Sequence, residues 1–175
     1  MSWYLATDAN IRQLPVYEQL FAFSYSYLGA AQVLCHQAVE RTHERDWPGG
    51  AVILMNSAHA VELFLKAALL RRENNLDVWS HGHNIHTLAI EYGRLFPEPE
   101  LAWDVPFRTA QPEDLSPDQQ RVFREGTAQP SIEFRYPVNK QGYPWLTLHG
   151  FEPNSFQREL VRLENDCDRI HRSEA

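Results

Sequence analysis

Long apolar runs, cysteine and positive charge are all scarce in this chain, and each scarcity excludes something. No window holds the roughly eighteen uninterrupted apolar residues of a membrane span, and the start MSWYLATDANIRQLP has no basic stretch followed by an apolar one. Neither a span nor export is expected. Only Cys35 and Cys167 are present, each within an apolar helical row, which argues against a disulfide framework and fits two small buried hydrophobes in a reducing cytoplasm. Lys and Arg number 16 against 23 Asp and Glu, for a net charge of −7 and a pI near 5.6. Without a general pull on phosphate backbones, tight binding of duplex DNA is not expected, and any nucleic-acid contact must come from local cations.

What remains suits one domain, residues 1–175, with enough apolar content (43%) to build a substantial core. Pro15 opens a helix expected to reach about Glu44, along which Leu20, Phe23, Tyr27, Ala31, Leu34 and Ala38 step by three or four. Its aromatic set, Tyr17, Phe21, Phe23, Tyr25 and Tyr27, covers more than one side, so the helix is either central or a dimer seam. Trp47-Pro48-Gly49-Gly50 reads as a break, after which Ala51, Leu54, Ala58, Val61, Leu65 and Ala68 define a second helix, antiparallel to the first. A third begins near Asn84, an N-cap, and stops before Pro97.

Six of the eleven prolines fall between Pro97 and Pro130, which breaks up this stretch. Ser116-Pro117-Asp118-Gln119 is the exception: it carries the pattern of a capping box and predicts a short helix to about Arg124. Residues 131–151, with β-favouring runs around Asn139-Lys140-Gln141-Gly142, predict a small hairpin, which Pro137 and Pro144 confine to an edge. Asn154 is expected to cap a last helix bearing Phe156, Leu160, Leu163, Cys167 and Ile170. The expected fold is mainly α, an antiparallel four- to five-helix bundle with a proline-rich excursion and a hairpin or extended appendage at about 97–152.

The second helix carries a polar stripe that an ordinary core would avoid. Asn56, His59, Glu62 and Lys66 are spaced by three and four, so they line one narrow face. The stripe is either a ligand-binding surface or the polar side of an ordinary helix, with Glu62 and Lys66 a common i,i+4 pair. His81, His83 and His86 are weak zinc candidates, since no cysteine or adjacent carboxylate completes a site, and no metal or other cofactor is expected. Arg135, entering the bundle from a loop, can pair with Glu62 and tether the appendage. Tyr136, Tyr143 and Trp145 flank Lys140, a grouping that can stack unpaired bases or simply cover the core.

The run Ser57-Ala58-His59-Ala60-Val61-Glu62-Leu63-Phe64-Leu65-Lys66-Ala67, followed by Gly82-His83-Asn84-Ile85 and Leu88, resembles the HEPN superfamily (higher eukaryotes and prokaryotes nucleotide-binding domain). Phe134-Arg135-Tyr136-Pro137 adds to the likeness, since an Arg-Tyr pair commonly precedes the last helix in that family. The resemblance implies a helical bundle, frequently a homodimer, in toxin–antitoxin, phage-defence or RNA-processing proteins. It marks Asn56, His59, Glu62, Lys66, His83, Arg135 and Tyr136 as candidates to bind RNA or a nucleotide. Catalytic members look like metal-independent ribonucleases with an Arg followed four to six residues later by His. Here Arg72 and His81, and Arg162 and His171, are each separated by eight residues, and no Arg has a His at the family spacing. No residue is therefore assigned a catalytic role. Two expectations stand: an RNA- or nucleotide-binding protein, or a non-catalytic module for binding a partner protein, in which the stripe is structural.

Overall fold

The computed structural model describes residues 7–40, 46–109, 115–126, 129–147 and 149–173. It is a helical bundle: α1 (Val16–Glu40), α2 (Trp47–Arg72), α3 (Ile85–Leu95), a 3-10 turn (Pro99–Leu101), α4 (Pro117–Gly126), α5 (Pro130–Glu133) and α6 (Pro153–Ser173).

α2 is the axis of the molecule. By length and composition it could cross a membrane, yet 78% of its most apolar window is buried, because α1, α3, α5 and α6 all pack on it. A helix apolar nearly all round is stable only when enclosed in this way. α1 runs antiparallel to it: Phe21 meets Phe64 edge-on at 5.1 Å, and Tyr27 meets His59. Buried Ser24 donates to the Ala60 carbonyl at 2.7 Å, so the small residues at this crossing let the backbones approach. α6 also runs antiparallel to α1, with the Tyr25 hydroxyl donating to Asp168 at 3.1 Å and Gln32 donating to Glu164. Leu160, Leu163, Cys167 and Ile170 of α6 are all buried, as their spacing predicts.

The loop 73–84 doubles back along α2, so that α3 starts beside the middle of that helix and ends near its C-terminus. Phe96, at the end of α3, lies under the Arg72 guanidinium at 5.0 Å. Asn84 caps α3 as expected, its side chain accepting from the Thr87 amide at 3.1 Å. Residues 99–107 then close the bundle: the Tyr92 hydroxyl donates to the Leu101 carbonyl, Trp103 packs edge-on against Phe64, and Arg169 donates to the carbonyls of Glu100 and Ala102.

Three local expectations are corrected. Trp47-Pro48-Gly49-Gly50 is not a break but the first turn of α2. Asp46 caps it by accepting from the Gly49 amide, and a proline costs nothing where no intrahelical donor is needed. Gly50 is required there by space, since an added Cβ would lie 2.9 Å from the Phe151 ring. The hairpin is absent from the described residues of 131–151. Its first residues form α5, and beyond them only an isolated bridge joins Val138 to Pro144. Pro137 and Pro144 have no donor, and Asn139 accepts the amides of Gln141 and Tyr143 with its side chain, so a turn forms without a ladder. Finally, α6 is capped by Glu152, not Asn154: its carboxylate accepts from the amides of Asn154 (3.1 Å) and Ser155 (2.7 Å). The capping box of α4 forms as read, Gln119 accepting from the Ser116 amide and Ser116 from that of Gln119. The predicted end of α1 at Glu44 lies outside the described residues.

Candidate functional site

The stripe on α2 is drawn into the protein, and Glu62 is its centre, 1% exposed. Lys66, one turn on, donates to Glu62 Oε1 at 2.9 Å and to the Gly82 carbonyl at 2.6 Å. That carbonyl is available because Gly82 sits at φ +55°, a left-handed conformation that other residues rarely adopt. His83, on the next residue of the loop, directs Nδ1 at both carboxylate oxygens, each at 3.1 Å. Ser131 of α5, fully buried, donates to Glu62 Oε2 at 3.4 Å. His59 Nδ1 lies 3.7 Å from the same oxygen, beyond a hydrogen bond, and its ring meets Tyr27 edge-on at 4.6 Å.

Burial by itself raises the pKa of the Glu62 carboxyl. The surrounding groups outweigh it, His59 first, then the hydrogen bond and charge of Lys66, then His83, and the value falls to about 2. The carboxylate is thus ionised at neutral pH. Among its partners His83 is the one at the surface, with nearly half its side chain (48%) exposed, whereas Lys66 is buried. The bonds described for His83 all engage Nδ1, so Nε2 is the ring nitrogen left for a ligand. A carboxylate behind Nδ1 favours the proton there in the neutral ring, which turns Nε2 towards a ligand.

His59, Glu62, Lys66 and His83 are therefore brought together, whereas the other three candidates are not. Asn56 is buried and returns its amide to the Val52 carbonyl at 2.8 Å. Arg135 is exposed and takes no part in the cluster; the tether expected between it and Glu62 is made by Ser131 instead, because α5 presents that residue to α2. Tyr136 is exposed, its carbonyl accepting from the Trp145 indole. Of the three imidazoles in 81–86, His81 bonds Thr87, His83 bonds Glu62, and the buried Nδ1 of His86, in the first turn of α3, has no partner among the described residues. Among the described residues no three His, Cys, Asp or Glu are grouped to hold a metal. Burial raises the pKa of both Cys35 and Cys167, so neither is a ready thiolate.

Several neighbours escaped the sequence reading. Trp79 lies on the loop with its ring 5.4 Å from Lys66 Nζ. A second buried carboxylate, Glu133 of α5, pairs with His149 Nε2 at 2.9 Å, and His149 stacks on Trp47 at 5.7 Å with the rings 2° from parallel. None belongs to a motif, and only the fold brings them together. Among the described residues, one open hollow of about 460 Å³ is lined by residues such as Leu34, Trp47, Ile53 and Phe151, and another of about 320 Å³ by Trp103, Phe107 and Phe156. Neither contains the Glu62 cluster, which reaches the surface at His83. No known family model, curated protein or solved structure matches the chain.

Proposed function

We propose that this chain is a HEPN-like nucleotide- or RNA-binding protein of a bacterial stress, toxin–antitoxin or phage-defence system, and that its ligand meets it where His83 emerges from the Glu62 cluster. The observation that carries the reading is the half-exposed His83 ring held through Nδ1 by a buried, ionised glutamate. An imidazole so oriented can hydrogen-bond a phosphate or take the proton of a ribose 2′-hydroxyl, without a metal. His59, Glu62, Lys66 and His83, four of the residues that carry the family resemblance, are gathered here, while Arg135 and Tyr136 are not. Val16 and Phe23, one heptad apart on α1 and both exposed, form the apolar face on which a homodimer would close.

The test is binding and cleavage of labelled single-stranded RNA, tRNA and free nucleotides in EDTA by wild type, His83→Gln and His59→Ala, with folding matched by circular dichroism. Binding by wild type that weakens at least tenfold in His83→Gln supports the reading, and cleavage lost in both variants would add a ribonuclease activity. Absence of any binding overturns it.

The burial of Asn56 and Lys66 favours a second reading, a non-catalytic protein-interaction module whose polar stripe specifies packing. In that case Lys66→Met lowers stability while no RNA or nucleotide binds.

A further inference from the structure

We propose that Trp79 is a stacking platform for an unpaired nucleobase, so that the site at His83 takes single-stranded rather than duplex RNA; this rests on the RNA-binding reading above. Trp79 is 57% exposed, and among the described residues between Arg72 and Asn84 it is the only large apolar side chain on the surface. The loop that holds it is ordered by its own bonds. Asp77 Oδ1 accepts from the amides of Trp79 and Ser80, both at 3.2 Å, the Ser80 hydroxyl donates to the Asp77 carbonyl, and the Gly82 amide donates to the Trp79 carbonyl. Lys66 Nζ lies over the ring at 5.4 Å and also bonds the Gly82 carbonyl, so one buried cation steadies both indole and loop. A ring held in place before binding loses little freedom when a ligand stacks on it.

The surroundings select the partner. Protein-docking faces are contiguous apolar patches. Here the exposed indole has no other large exposed apolar side chain among the described residues of its loop and shares a turn with exposed Ser80 and His83. An aromatic face with polar neighbours in its own turn fits a flat group that has a π-face and polar edges, which describes a base displaced from pairing. The same Lys66 that lies over Trp79 bonds Glu62, and Glu62 holds His83, so platform and imidazole are built on one support. His83 Nε2 is then placed to bond the sugar or phosphate attached to the stacked base. The net charge of −7 points the same way. Duplex binding draws chiefly on many phosphate contacts, which this chain is poorly charged to make, whereas stacking does not depend on net charge.

The experiment measures fluorescence anisotropy of a short labelled single-stranded RNA, and of the same sequence in a duplex, with the full chain as wild type, Trp79→Ala, Trp79→Leu, Trp79→Phe and His83→Gln. Light scattering reports the mass of each free protein. Wild type is expected to prefer the single strand. Trp79→Ala and Trp79→Leu should bind it about tenfold more weakly, as loss of one stacked base predicts, with Trp79→Phe recovering most of the affinity. Leucine keeps apolar bulk without a π-face, so it separates stacking from general burial. Equal binding of the single strand by wild type and the folded Ala and Leu variants overturns the platform while leaving the RNA reading intact. No binding of either RNA by wild type overturns both. A change in mass in the Trp79 variants with RNA affinity unchanged overturns the proposal in favour of a protein contact.

Discussion

Two buried glutamates, Glu62 and Glu133, show how differently one chain can keep a carboxylate out of water. Glu62 takes an ammonium partner from its own helix, Lys66 one turn away, and adds His83 and Ser131 from elsewhere. Glu133 has His149 as its described partner, sixteen residues on in an irregular stretch, and that imidazole is itself held by stacking on Trp47 in the first turn of α2. The short helix α5 joins the two arrangements, since Ser131 reaches Glu62 while Glu133 reaches His149. The first is a core element that follows from local helix geometry; the second ties the excursion to the bundle. Buried charge must be paired in both cases, and the cost of unpairing it depends on what remains.

Removing the Lys66 ammonium gives the largest expected effect. Lys66→Met leaves Glu62 ionised and buried without its fixed cation, and chemical denaturation should show a loss of about 3–5 kcal/mol. If this variant were no less stable than one lacking His149, the contrast between the two glutamates would be wrong.

Acid sharpens the contrast further. The Glu62 carboxyl titrates near 4.5 when unperturbed and near 2 in the fold. Between those values the unfolded chain holds a proton that the folded one does not. The stability it contributes is fully present above about pH 4.5 and is lost as the pH falls towards 2. Melting temperature should therefore fall more steeply across that window in wild type than in Glu62→Gln. Parallel curves would show that the carboxylate is not held as described.

Smaller losses are expected at the second glutamate. His149→Ala strips Glu133 of its hydrogen bond and Trp47 of its stacking partner, at a cost of about 1–3 kcal/mol. Hydrogen exchange should quicken in 130–149 and leave the middle of α2 protected; uniform loosening would mean that the tie extends into the core. The smallest effect concerns the loop that carries His83. Asn84→Ala removes the α3 cap and should cost about 1 kcal/mol by thermal denaturation, with the Glu62–Lys66 pair intact.

How far the sequence could be read varies by element. The three-and-four spacing of α2 and α6, the Asn84 cap and the Ser116–Gln119 box all recur in the structure, because each depends on contacts between near neighbours in the chain, whereas α1 buries Phe21, Leu28, Ala31 and Cys35 and leaves Phe23 of its predicted row exposed. The misread first turn of α2 has a local cause too: Pro48 and paired glycines resemble a break unless Asp46 is recognised as the cap. The hairpin failed where side-chain bonding by Asn139 competed with strand pairing. At the site, the alignment of His59, Glu62 and Lys66 was legible from their spacing, whereas Ser131, Trp79 and the Glu133–His149 pair carried no periodic signal.

By itself the sequence determined a mainly helical chain, the register of the apolar rows of α2 and α6, and the i,i+4 pair at Glu62 and Lys66, since these follow from the helical period and from bonds between residues a turn apart. Tertiary structure alone decided that the polar stripe is buried and that the 73–84 loop returns to set His83 on Glu62 and Trp79 by Lys66. It also decided that Ser131, not Arg135, completes the cluster. Those outcomes depend on which helix faces enclose α2 and on where an irregular loop closes, and such contacts between distant residues have no counterpart in local spacing.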